Sequence, residues 1–150
     1  MIENDLKDKF GPCGLFCEKC FAFDKGPIRF HSEMLRNNLG EFDNYAKRFT
    51  VLLDNPDFAK YPDFKELLNT FASSNCQGCR KQKCHLFKGC KVKDCYKNKN
   101  VDYCYQCSEF PCEKTGFDDN LKQRWTKINY RIREIGLENY YSEVKDMPRY

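Results

Sequence analysis

The sequence predicts a mainly α-helical protein in which helical segments pack around cysteine-rich loops tied by metal. Three observations carry that expectation. Apolar residues recur at helical intervals over 31–73 and 118–146, strand–helix alternation and glycine-rich phosphate loops are absent, and cysteine is abundant and clustered. At 150 residues the chain has the usual length of one domain and can bury its own core. The expected organisation is a single domain over 1–150, with a hook at 10–23, helices over 31–73, a cysteine segment at 76–112 and a helical tail at 118–146.

Each element has a local reason. After Cys20 the stretch FAFDKGPIRF is aromatic and broken by Gly-Pro, and it reads as an irregular connector. Ser32 is the expected cap of a short helix carrying Leu35 and Leu39 and closed by Gly40. The next run places Phe42, Tyr45, Ala46, Phe49 and Leu52 or Leu53 at helical spacing until Asn55-Pro56 stops it. Beyond Pro62, a third stripe of Phe64, Leu67, Leu68 and Phe71 ends near Ser73-Ser74-Asn75. These aromatic stripes predict an ordinary core. In the tail, Asp118 or Asp119 caps a helix whose Leu121, Trp125, Ile128, Ile132 and Ile135 share one face. Gly136 ends it, and a shorter piece with Leu137, Tyr140, Tyr141 and Val144 follows before Met147-Pro148.

The 11 cysteines lie in two windows: three between 13 and 20, and eight between 76 and 112. A secreted disulfide scaffold favours an even number, a signal peptide and a shorter chain. In a reducing compartment this density reads as metal ligation. Buried inert thiols account for single cysteines and poorly for such packing. Cys76, Cys79 and Cys84 repeat the C-x2-C-x4-C spacing of Cys104, Cys107 and Cys112, 28 residues on. Two residues between ligands let both sulfurs reach one Zn²⁺ at about 2.3 Å, and Gly78 suits such a turn. Adding the next cysteine in line gives one set of Cys76, Cys79, Cys84 and Cys90 and another of Cys95, Cys104, Cys107 and Cys112, with interleaved pairings equally compatible. His85 is a candidate to replace Cys84. The hook supplies Cys13, Cys17 and Cys20, spaced C-x3-C-x2-C. That is also the radical-SAM spacing, but the chain lacks the βα repeats such an enzyme needs around it. The hook is read as a third ligand set, closed by a cysteine from the long segment or left open at its fourth position.

Four blocks, Cys13-Gly14-Leu15-Phe16-Cys17-Glu18-Lys19-Cys20, Cys76-Gln77-Gly78-Cys79-Arg80, Cys90-Lys91-Val92-Lys93-Asp94-Cys95 and Cys104-Tyr105-Gln106-Cys107-Ser108-Glu109-Phe110-Pro111-Cys112, occur in that order. In these the chain resembles the bacterial and archaeal family catalogued as domain of unknown function 3795. The stretch Ile135-Gly136-Leu137-Glu138 is also similar, whereas Cys84 falls outside the family pattern. The resemblance implies a small cysteine-rich metal-binding protein and brings no established reaction with it.

Charge and composition narrow the function. With 26 basic and 22 acidic residues, a net charge of +4 and 41% hydrophobic residues, a disordered or collagen-like chain is excluded. No apolar run approaches the ~18 residues of a membrane span, and the start MIENDLKDKFGPCGL is unlike a signal peptide. A soluble, cytoplasmic protein without membrane contact is expected. Between Arg80 and Lys99 eight basic residues face one acid, Asp94. With Tyr96, Tyr103 and Tyr105 nearby, that stretch makes nucleic acid the runner-up partner, beside an unidentified protein partner. The favoured explanation is compensation, because Zn²⁺ bound by four thiolates carries two negative charges. For catalysis only His31 and His85 are near-neutral bases, and neither sits in a recognisable triad. Cys17-Glu18-Lys19-Cys20 lacks the βαβ setting of a redox motif. A non-enzymatic zinc-binding structural or interaction protein is therefore the leading expectation. An iron–sulfur redox protein is the main alternative, and catalysis at an open metal position stays open in principle.

Overall fold

The computed structural model describes residues 2–82, 84 and 86–150. Among the described residues seven helices follow in chain order: α1 (Ile2–Lys9), α2 (Pro27–Leu39), α3 (Phe42–Leu52), α4 (Tyr61–Ala72), α5 (Val92–Asn98), α6 (Asp119–Ile135) and α7 (Leu137–Val144). Two 3₁₀ turns, Pro56–Lys60 and Cys104–Gln106, complete the helical structure. Among the described residues no strand forms. Only two isolated bridges occur, Phe10 with Phe16 and Phe23 with Cys76. The fold is mainly helical, as the periodicity predicts.

The helix starts and stops follow local chemistry. Asp118 Oδ1 accepts a hydrogen bond from Leu121 N at 3.0 Å, capping α6. Asn55 accepts from Asp57 N at 3.0 Å and starts the turn before α4. Gly40 and Gly136 follow the ends of α2 and α6. The expected start of α2 at Ser32 is corrected: Pro27 opens the helix in its first turn, where its missing N–H costs nothing. Part of the supposed connector is therefore helical. α1 and α5 are further additions. Both are short and polar, and tertiary contacts hold them, above all through Leu6 of α1 and Val92 of α5, each buried.

Packing divides the helices. α2, α3 and α4 lie against one another, while α6 rather than these helices carries the cysteine loops. The stripes of α2–α4 bury Ala46 and Leu68 but leave Leu52 65% and Leu67 59% exposed, which corrects the expectation of an ordinary core there. Phe21 meets Phe71 edge-on at 5.7 Å and ties this layer to the hook. The main core joins Cys13, Leu15, Val92, Phe110, Leu121 and Trp125. A second cluster packs Leu6, Phe10 and Phe16 against Tyr140 and Tyr141 of α7.

Lys65 Nζ lies 2.7 Å from Asp43 Oδ2 and links α4 to α3. The hydrogen bond from Lys65 holds the Asp43 carboxyl below its ordinary 3.8. A depressed carboxyl adds stability above its unfolded pKa and loses it as pH falls through the folded value. Thermal melts of the protein and of Asp43→Asn are therefore expected to differ at neutral pH and to converge in acid below the carboxylate range. A difference that persists there contradicts this role.

Candidate functional site

The hook is the hub on which the cysteine loops hang. Its backbone turns back on itself through Gly11 N to Leu15 O at 2.9 Å and Cys17 N to Lys9 O at 2.7 Å. From it, Pro12 O receives Cys104 N at 2.9 Å, and Ala22 O receives Cys76 N at 2.9 Å. The loops of Cys76 and Cys104 are thus both pinned to the hook. Arg80 strengthens the junction by donating to Lys7 O and Asp102 O while its guanidinium covers the Tyr103 ring at 4.7 Å.

α6 approaches this hub closely because Gly14 permits it. A Cβ on Gly14 would stand 2.9 Å from Asn129 Oδ1, and its φ of +82° favours glycine. Asn129, fully buried, donates to Cys13 O and to Trp125 O, both at 2.8 Å. On the far side, a Cβ on Gly116 would come 2.2 Å from Gly89 O. This backbone contact, with Lys91 N donating to Thr115 O at 3.0 Å, brings the loops of Cys90 and Cys112 together.

The cysteines fall into three groups. Cys95, Cys104, Cys107 and Cys112 line one cavity of about 30 Å³ roofed by Phe110 and Trp125. This coincides with the second set expected from spacing. Consecutive turns present three of these side chains, with Cys107 N bonded to Cys104 O at 3.0 Å and Phe110 N to Cys107 O at 3.2 Å. Cys13, Cys79, Cys84 and Cys90 line a second cavity of about 110 Å³. Cys13 of the hook lines this cavity beside Cys79, Cys84 and Cys90, and Cys76 does not. The backbone bonds of Cys76 to Ala22 and Asp24 pull it instead toward Cys20. Cys20 and Cys76, packed together against Phe23, form the third group, while the Cys17 thiol donates to Leu15 O at 3.5 Å. His85 lies outside the described residues.

No disulfide joins any of the 11 cysteines, and among the described residues no three His, Cys, Asp or Glu side chains converge so that they could hold a metal ion. Burial pushes Cys104 up to about 12 and Cys17 to about 11, the latter opposed by the Arg149 guanidinium beside it. Cys13 is raised well above its ordinary 9.0 by burial and then by Cys17. Cys79 is raised first by its bond with Cys84 and then by burial. Burial raises Cys95 too, followed by Cys112 and Cys107, with Lys99 and Lys114 opposing. A divalent cation removes such protons and stabilises clustered thiolates.

One further residue tests whether the first group fits an ion. The Trp125 indole N–H is fully buried and makes no hydrogen bond of normal geometry. It sits beside Cys104 and favours that sulfur's thiolate form. A charged sulfur would give this orphaned donor its partner. The sequence signal was present, since a lone tryptophan in an apolar stripe raises the question of where its N–H goes. Asn129, in contrast, lies on the same stripe with no periodic signal of its own.

Residues 9–117 match the family described as Protein of unknown function (DUF3795). Neither the curated proteins nor the solved structures contain a match to the chain. The matched span takes in the hook, α2 to α4 and the whole cysteine segment, and the chain belongs to the DUF3795 family.

Proposed function

We propose that this protein is a zinc-binding structural or interaction module of the reducing cytoplasm, in which the metal ties 76–112 to the hook and to α6. The observation that carries the reading is the lining of one small cavity by Cys95, Cys104, Cys107 and Cys112 beneath an unpartnered Trp125 N–H. The C-x2-C turns, with no ferredoxin-like C-x2-C-x2-C-x3-C run beside them, favour zinc over an iron–sulfur cluster. Cys13, Cys79, Cys84 and Cys90 would hold a second ion. Bound there, zinc supplies four strong bonds to thiolate and a net negative centre, which Lys99 and Lys114 stand beside at the first group.

The basic stretch 80–99 serves the same end. Arg80 is spent on backbone carbonyls, Lys81 pairs with Asp8 and Lys99 with Glu109, so much of the excess charge is engaged internally. Charge compensation explains these residues better than a phosphate track. Elemental analysis of the purified chain is expected to give zinc at two tightly held ions per chain, one for each four-cysteine group. Stoichiometric iron with acid-labile sulfide and a brown, visible-absorbing protein would replace zinc by clusters. A colourless protein without metal would reject both.

A further inference from the structure

Basic and apolar side chains meet in a cavity of about 310 Å³ that no cysteine lines. α6 turns Arg124, Lys127, Ile128 and Arg131 to it, residues three and four apart and therefore on one helix face. α7 adds Tyr140, the hook adds Phe16, and the segment after α7 adds Arg149. Among the described residues no acid lines this cavity. Of its four cations only Arg131 is ion-paired among the described residues, with Glu134 at 2.8 Å and with Glu143. Arg124 Nη2 donates to Arg149 O at 3.1 Å and joins α6 to the segment that carries Arg149. Arg149 itself donates through Nη1 to Phe16 O and meets the Tyr150 ring at 5.7 Å, yet its Nε is buried without a hydrogen-bond partner.

We infer that this cavity binds a small phosphate monoester with an apolar body. Its size, at the lower end of the roughly 300–1,000 Å³ of ligand pockets, is that of one small molecule. Charge selects the anion. Four cations against the two glutamates on Arg131 leave two positive charges, which a phosphate near its dianionic form balances and a carboxylate only half balances. Arg124 and Arg149 supply planar forks that match phosphate oxygens, and Lys127 supplies a point charge. A bound oxyanion also gives the orphaned Nε of Arg149 an acceptor. Buried Phe16 with half-buried Ile128 and Tyr140 offers an apolar surface to the uncharged end of the molecule. The site uses none of the cysteines, so it does not rest on the metal-binding reading.

Calorimetric titration of the purified full chain with phenyl phosphate tests this. One saturable site per chain is expected, with inorganic phosphate about tenfold weaker or more and phenol showing no binding. Lys127→Met removes an exposed charge and keeps the length of the side chain. It is expected to weaken phenyl phosphate about tenfold or more, the loss of one charge-assisted hydrogen bond. Lys97→Met on α5, within the basic stretch, is expected to change nothing. No saturable binding, an unchanged affinity in Lys127→Met, or an equal loss in Lys97→Met overturns the site. Inorganic phosphate that binds as tightly as phenyl phosphate overturns the apolar half of the proposal. A phosphotyrosine peptide that binds more tightly than phenyl phosphate overturns the small-molecule ligand in favour of a protein-borne phosphate.

Discussion

Chelation of the metal-loaded protein is expected to unfold residues 76–112 while α2, α3 and α4 keep their helical signal. Ordering a residue costs about 1–2 kcal/mol of backbone entropy. Against this, the described residues of 76–112 bury only three large apolar side chains, Val92, Tyr103 and Phe110. Each returns roughly 1.5–3 kcal/mol. A segment with that balance cannot order itself. One structural zinc supplies on the order of 10–16 kcal/mol of apparent free energy at neutral pH, enough to change the outcome. The helices α2–α4 pack on one another and depend less on the loops. Limited proteolysis with mass mapping is the measurement. New cleavage should appear at exposed lysines of the stretch such as Lys88, Lys91 and Lys97, and hydrogen exchange should accelerate from 76 to 112 before it does in 27–72. Unchanged protection of 76–112 after complete metal removal would reject the proposal that metal is part of this fold.

Much of that architecture could be read from the residues, and the exceptions have physical causes. Asp118, Gly40 and Gly136 act within a turn of where they stand, so the ends they mark were legible. The group of Cys95, Cys104, Cys107 and Cys112 was legible for the same reason, since short turns connect its last three members. The other groups were not. Their membership depends on the contact between Phe23 and Cys76, residues far apart in sequence, and on the close approach that Gly14 allows. Spacing gives the donors and leaves their pairing to long-range backbone bonds. The stripe of α4 shows a second limit. Periodicity identified the face that carries Leu67 and Leu68, but burial of Leu68 and exposure of Leu67 depend on what packs there. α5 shows a third, because a seven-residue helix of mostly polar side chains forms only once Val92 has a core to enter.

Replacing Trp125 separates packing from the proposed service to the metal. The side chain is fully buried, with Phe110 edge-on at 4.8 Å and Phe117 at 6.1 Å. Trp125→Ala is expected to cost about 3–5 kcal/mol, with or without metal, because it empties the centre of the main core. Trp125→Phe keeps most of that packing and removes the N–H. In the metal-free chain the N–H is buried without a hydrogen bond, a burden of about 1–3 kcal/mol. Its removal offsets the lost area, so the metal-free variant is expected near the stability of the parent. In the loaded chain the same N–H faces the Cys104 thiolate, and hydrogen bonds to charged groups contribute about 1.5–3 kcal/mol. Trp125→Phe is therefore expected to weaken zinc binding about 10–100-fold, the usual consequence of losing a group that supports a ligand. Urea melts of parent and variant, each with and without zinc, complete the cycle. A Trp125→Phe penalty that is the same in both metal states would show that the indole only fills space, and the Cys104 group would lose its strongest sign of being built for an ion.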